Sequence, residues 1–159
     1  TPGLMHRVGG LEKEDGTGNV SYDPANHQLM TDTRAAKVAK IAERIPPQEV
    51  FGDTSGKVLV VSWGGTYGAC HTSVKRCREQ GLSVSHVHLR HINPMPANLG
   101  EILGQFEKVM VAELNQGQLR MLLRANYLVD CQGVNKVQGK PFTVSELTET
   151  IQNLHEDHE

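Results

Sequence analysis

The sequence predicts an α/β fold, a largely parallel sheet sandwiched between helices, and three observations carry that reading. The first is Lys57–Ala69, KVLVVSWGGTYGA, where an apolar run meets two glycines and a threonine and then a helical pattern. The second is the regular alternation of strand-like and helix-like segments from Gly56 onward, which builds parallel sheets through crossover helices. The third is a well-signalled final helix. Thr143 and Glu146 form a capping box there, and Phe142 and Leu147 are spaced as a hydrophobic staple.

The elements follow in chain order. Residues 1–22 are glycine-rich, without sustained periodicity, and are expected to form a connecting arm. Its EDGTGN run lacks the alternating carboxylates and terminal glutamate of a calcium loop, so a solvated turn is expected. A long helix is predicted over 23–47. Asp23 serves as its N-cap, Pro24 stands at the first helical position, and Pro46-Pro47 stops it. Val38, Ile41, Ala42 and Ile45 make its apolar stripe. Residues 48–155 are predicted to form the α/β domain proper, and 156–159 a frayed polar tail.

Within that domain Val58 to Val61 read as a strand covered on both faces, rich in β-branched valine. Gly64 and Gly65 allow a sharp turn or a close approach. Tyr67, Cys70, Val74 and Cys77 then fall on one helical stripe. Val84 to Leu89 is the second strand, Leu99, Ile102, Leu103 and Phe106 a helical stripe, and Val109 to Ala112 the third strand. Leu119, Leu122 and Leu123 mark another helix, and Tyr127–Cys131 and Val134–Val137 read as two short strands. Val144, Leu147, Ile151 and Leu154 give the last helix its buried stripe.

Composition removes several classes of function. The 159 residues suit one domain with a real core, and a net charge of -2 gives no reason to expect nucleic acid or an anionic membrane as partner. No apolar run approaches the ~20 residues of a membrane span. Cys70, Cys77 and Cys131 are odd in number and lack CxxC spacing, which suits a reduced, cytoplasmic protein. Cys70 and Cys77 read as small buried hydrophobes. The chain opens on a threonine in a glycine-rich stretch and reads as a piece of something longer.

The residues that could carry chemistry cluster at predicted strand ends. In a strand, His86 and His88 share a face, and with His91 they invite a metal reading. No carboxylate or cysteine stands nearby in sequence to complete a ligand set, so a polar strand end or an interface stays open beside it. Arg90, His91 and Asn93 fall where the second strand ends. An α/β protein meets ligands or neighbours at that edge, and Arg90 could hold a carboxylate or phosphate there or pair within its subunit. Asn115 is a fair N-cap for the following helix, with Gln118 at the capping-box position; the functional account is that Glu113, Asn115 and Gln118 form a polar rim facing the same crevice as Gly64, Gly65 and Thr66. There is no GxGxxG after a strand, no GxxxxGK[ST] and no GxSxG, and no nucleophile–base–orienter unit. The residues thus describe a polar crevice with no self-sufficient active site.

Three long motifs add a resemblance: LMHRVGGLEKEDGTGNVSYDPANH at Leu4–His27, VVSWGGTYGA at Val60–Ala69, and HVHLRHINPMPANLGEIL through VAELNQGQL over His86–Leu119. With LRANYLVD at Leu123–Asp130 and NKVQGKPF at Asn135–Phe142, the chain resembles the C-terminal part of the alpha subunit of 2-oxoacid:ferredoxin oxidoreductases, most closely the 2-oxoglutarate enzymes. The resemblance implies a transketolase C-terminal-like domain, a three-layer α/β/α unit with one strand typically antiparallel. It also implies a parent enzyme that cleaves a 2-oxoacid with thiamine diphosphate and magnesium and passes electrons singly through an iron–sulfur cluster to ferredoxin. The acyl group ends on coenzyme A, giving succinyl-CoA from 2-oxoglutarate. In that family the thiamine diphosphate lies between an upstream domain of the subunit and the beta subunit, and the GDG…N pattern that binds it is not found here. No cofactor is therefore expected on this segment, which would brace the assembly through Gly64–Thr66, Arg90–Asn93 and Glu113–Gln118. A bidentate Arg90 contact at that edge would be weakened by Arg90→Lys. Two other readings stay open: a flavodoxin-like module binding a nucleotide or phosphate at the glycine turn, and a histidine metal site.

Overall fold

In the computed structural model, which describes residues 2–3, 5 and 9–157, the chain divides into two units, 1–45 and 46–159. Leu4 and His6–Val8 of the first motif and the end of the 156–159 tail lie outside the described residues.

The first unit is built around Glu12. A tight turn closes through Glu14 N–H donating to the Asn19 carbonyl and Gly18 N–H to that of Glu14, with an isolated antiparallel bridge between Lys13 and Val20. The EDGTGN run is therefore a turn. Helix α1, Pro24–Lys40, starts as its residues dictate, because the Asp23 carboxylate accepts from Asn26 N–H at 2.8 Å and Pro24 stands at the first position. Arg34 grips Glu12 bidentately at 3.0 and 3.0 Å and His27 Nδ1 adds a contact at 2.8 Å, so the Glu12 carboxyl is held down to about 2, Arg34 being the larger cause. A 3-10 turn over Ile41–Arg44 ends the helical run before Pro46-Pro47. The apolar stripe is not covered within the unit: Val38 is 40% and Ile41 48% exposed.

The second unit follows from alternation along its strands. In β1, Gly56–Trp63, residues 58 and 60 point to one face of the sheet and 59 and 61 to the other, and all four are fully buried. Its other strands are β2, Val84–Leu89, β3, Phe106–Glu113, and β4, Cys131–Asn135, in the spatial order β2-β1-β3-β4 with every pair parallel. One face is covered by α2, Tyr67–Glu79, and α5, Val144–Glu156, over Val58, Val60, Val74, Met110, Leu147 and Ile151. The other face carries α3, Leu99–Leu103, and α4, Gln118–Tyr127, over Leu59, Val61, Leu103, Val111, Leu119 and Leu123. This is the expected three-layer α/β/α sandwich. The Thr143–Glu146 capping box forms, Phe142 and Leu147 share one core, and Ser73 Oγ donates to Val144 O across the α2–α5 contact. No helix among the described residues is long and apolar enough to cross a membrane.

Two boundary expectations and one of strand direction are corrected. Phe106 opens β3 instead of closing a helical stripe, because α3 stops after five residues at Gly104. Tyr127 ends α4, so the two short strands expected at 127–131 and 134–137 are one strand, β4. Leu128 caps that helix in the left-handed region at φ 55°, a place normally marked by glycine. The sheet has no antiparallel strand among its described members, since each crossover helix returns the chain in the same direction. Among the described residues of this unit, antiparallel pairing is confined to the bridge between Phe51 and His86.

Candidate functional site

The strand order reverses beside β1. The chain leaves β1 for α2 on one face and β3 for α4 on the other, so the ends of these neighbouring strands form the switch point at which α/β sheets open a crevice. Here that point is occupied. Trp63 ends β1 and its indole N–H donates to Glu113 Oε2 at 3.3 Å. Glu113 is fully buried, accepting at Oε2 from Leu119 N–H (2.8 Å) and at Oε1 from Arg120 N–H (2.9 Å). The carboxylate thus satisfies two donors at the start of α4 and lies on its positive end. It faces inward and is no part of an exposed rim.

The neighbouring residues sort accordingly. Asn115 Oδ1 accepts from Gly117 and Gln118 N–H at 2.7 and 3.1 Å, so its side chain shapes the loop into α4. Gly117, at φ 98°, is the N-cap, which makes Gln118 the first helical residue and leaves no capping box with Asn115. Gly64–Thr66 form a 3-10 turn in which Thr66 Oγ1 donates to Trp63 O at 2.8 Å and accepts its N–H at 3.2 Å. Gly64 is required by its φ of 57°, but a Cβ on it or on Gly65 would meet open space within the chain.

Arg90 and His91 follow β2, whose last residue, Leu89, pairs with Trp63. They line a cavity of about 540 Å³ at the carboxyl end of β2, walled by α2 and by the 46–51 segment. Asn93 is exposed and does not line it. His86 and His88 share a face of β2, as their spacing predicts, and the register places Ser62 of β1 beside them. The Ser62 hydroxyl lies 2.7 Å from His86 Nε2 and 2.8 Å from His88 Nδ1. From α2, His71 stands between the rings of Phe51 (4.2 Å between centroids) and Tyr67 (5.2 Å, stacked). His71 Nδ1 is buried and has no hydrogen-bond partner among the described residues. Burial above all, then His71 and His88, pushes His86 down to about 3, and burial followed by the Arg90 charge lowers His88. His86 is thus neutral at physiological pH, and the same burial favours the neutral form of His88.

The ends of β2, β1 and β3 lie side by side, with Trp63 paired to Leu89, so Arg90 leaves β2 beside the Gly64–Thr66 turn, while Glu113 is turned inward. Ser62, Tyr67, His71 and Phe51 join the site without having been expected there. The period-two His86/His88 pair and the four-residue step from Tyr67 to His71 were the signals available for them. Among the described residues no grouping of three or more His, Cys, Asp or Glu could hold a metal ion, which leaves the histidine metal reading unsupported.

Residues 56–147 match the family model for pyruvate:ferredoxin oxidoreductase core domain II. The chain is 47% identical over 148 residues to the 2-oxoglutarate oxidoreductase subunit KorA of Mycobacterium tuberculosis, covering 92% of this chain and 22% of that protein. It superposes on the 2-oxoglutarate:ferredoxin oxidoreductase of Magnetococcus marinus, a structure with 2-oxoglutarate, coenzyme A and succinyl-CoA bound. There the TM-score is 0.89 and the identity 30%, over 98% of this chain and 28% of that one. A split-gene transketolase, 18% identical with a TM-score of 0.54 over 69% of this chain and 42% of that one, shares the fold. The chain thus spans less than a third of the length of either oxidoreductase relative. On the match over most of its α/β unit, the chain belongs to the core domain II family of pyruvate:ferredoxin oxidoreductases.

Proposed function

We propose that this chain is the C-terminal, assembly-bracing domain of the alpha subunit of a 2-oxoglutarate:ferredoxin oxidoreductase. That enzyme converts 2-oxoglutarate, coenzyme A and oxidised ferredoxin to succinyl-CoA, carbon dioxide and reduced ferredoxin. The observation that carries the reading is the likeness to the two 2-oxoglutarate enzymes, which runs almost end to end along this chain. Residues 48–155 are the bracing domain and 1–22 the arm that joins it to upstream domains of its subunit. The beta subunit is the second partner, and ferredoxin and coenzyme A meet the whole enzyme in its cytoplasmic setting.

The residues present do not fit the parent enzyme's cofactors. Magnesium and the diphosphate it anchors need clustered oxygen ligands, and the described residues offer no such set. An iron–sulfur cluster needs converging thiolates, whereas Cys70 and Cys77 lie on one face of the sheet and Cys131 on the other. Thiamine diphosphate and iron–sulfur chemistry accordingly belong to the rest of the enzyme. This domain contributes a packing edge made of Gly64, Gly65, Asn93, Asn115 and Gln118, braced from beneath by the buried Thr66 and Glu113.

Co-expression with the missing part of the alpha subunit and the beta subunit tests the reading. Viologen reduction should require all parts and should be fastest with 2-oxoglutarate among several 2-oxoacids. Turnover undiminished without this domain would overturn its role, and preference for another 2-oxoacid would overturn the substrate.

A further inference from the structure

The cavity at the end of β2 contains more chemistry than bracing requires. We propose that it binds a small oxyanion, a phosphate or carboxylate group, between the Arg90 guanidinium and the imidazoles of His71 and His88. The inference goes beyond the assembly reading and holds whether or not that reading does.

Three observations converge on it. Arg90 has no carboxylate partner among the described residues, unlike Arg34 on Glu12 and Arg78 on Asp53, and Glu49 is the one acidic residue among those lining the cavity. A guanidinium presents paired donors that match the oxygens of a carboxylate or phosphate. His71 supplies the second group. Its ring is held by Phe51 and Tyr67, and its buried Nδ1 lacks the partner that buried polar atoms almost always have. Nδ1 is covered in the unliganded chain, so an oxyanion accepting from Nδ1–H would supply that partner with a small turn of the imidazole.

His88 supplies the third. Its Nδ1 is tied to Ser62 Oγ, which also touches the buried His86 Nε2. One hydroxyl has one proton, so when Ser62 donates to His88 Nδ1 it accepts from His86 Nε2–H. The opposite choice is equally allowed by the distances, and an oxyanion on His88 selects the first, which leaves Nε2–H as a neutral donor for the ligand. The cavity, at about 540 Å³, is in the size range of small-molecule sites.

The test is a titration of the histidine-labelled full chain by NMR, with inorganic phosphate and with succinate separately, at constant ionic strength. Saturable shifts of the His71 and His88 resonances are expected with at least one of them. Arg90→Gln, at an exposed position, should weaken that binding about tenfold or more. His71→Phe, which keeps a ring between Phe51 and Tyr67, should weaken it too. Response to phosphate alone identifies a phosphoryl ligand and response to succinate alone a carboxylate ligand, and either supports the site. Shifts that fail to saturate with both anions, or binding that Arg90→Gln leaves unchanged, would overturn it. The wild-type titration decides the matter even if a variant misfolds.

Discussion

Replacing Glu113 by glutamine keeps the side chain's size and removes its charge, so it isolates what the buried carboxylate does. The three donors it receives are Leu119 N–H and the Trp63 indole on Oε2, and Arg120 N–H on Oε1. A glutamine carbonyl can take the Oε2 place and keep two of them. Its NH₂ group then faces Arg120 N–H, leaving a buried donor without an acceptor at a cost of about 1–3 kcal/mol. Loss of a negative charge at the N-terminus of α4 adds about 1 kcal/mol, so Glu113→Gln should destabilise by about 2–4 kcal/mol. Trp63 is the chain's single tryptophan, which makes its fluorescence a direct probe of this unit. With a urea slope of about 2 kcal/mol/M, the midpoint should fall by about 1–2 M at unchanged slope. A loss under about 0.5 kcal/mol would show that the carboxylate does not hold the α4 start.

Two further outcomes follow from packing and titration. Gly100→Ala in α3 would ordinarily add about 1 kcal/mol of helix stability, but its Cβ would stand 2.8 and 3.0 Å from Tyr127 ring carbons. Urea unfolding should therefore show a net loss of about 1–2 kcal/mol, and a gain would refute the close contact. His86 has its folded-state value depressed from 6.5 to about 3, so between those values the unfolded chain binds a proton that the folded chain does not. Its contribution is complete above 6.5 and declines as pH falls toward 3, at about 1.4 kcal/mol per pH unit. Stability should be lower at about pH 5 than at about pH 7.5 by roughly 2 kcal/mol, a difference that His86→Gln should shrink; an equal drop in the variant would assign it elsewhere.

Local signals and long-range ones fared differently in the sequence. Val58–Val61, Val84–Leu89 and Val109–Ala112 lie within β1, β2 and β3, and the Asp23 and Thr143 caps form where their chemistry places them. Each of those depends on neighbours a few residues away. The inward turn of Glu113 is not legible in the sequence because its partners, Trp63 and the α4 backbone, meet it only once β1 and β3 pair. The same is true of the β2 cavity, where Ser62, His71 and His88 come from three elements. Leu128 hid the end of α4 because its left-handed backbone is unmarked by glycine or asparagine.

The proposed bracing role is tested most directly by calorimetric titration of thiamine diphosphate with magnesium into the 159-residue chain by itself, followed by addition of 2-oxoglutarate. No binding heat and no release of carbon dioxide are predicted until the remaining alpha-subunit domains and the beta subunit are supplied. Tight, stoichiometric cofactor binding by the lone chain, or decarboxylation without those parts, would contradict it.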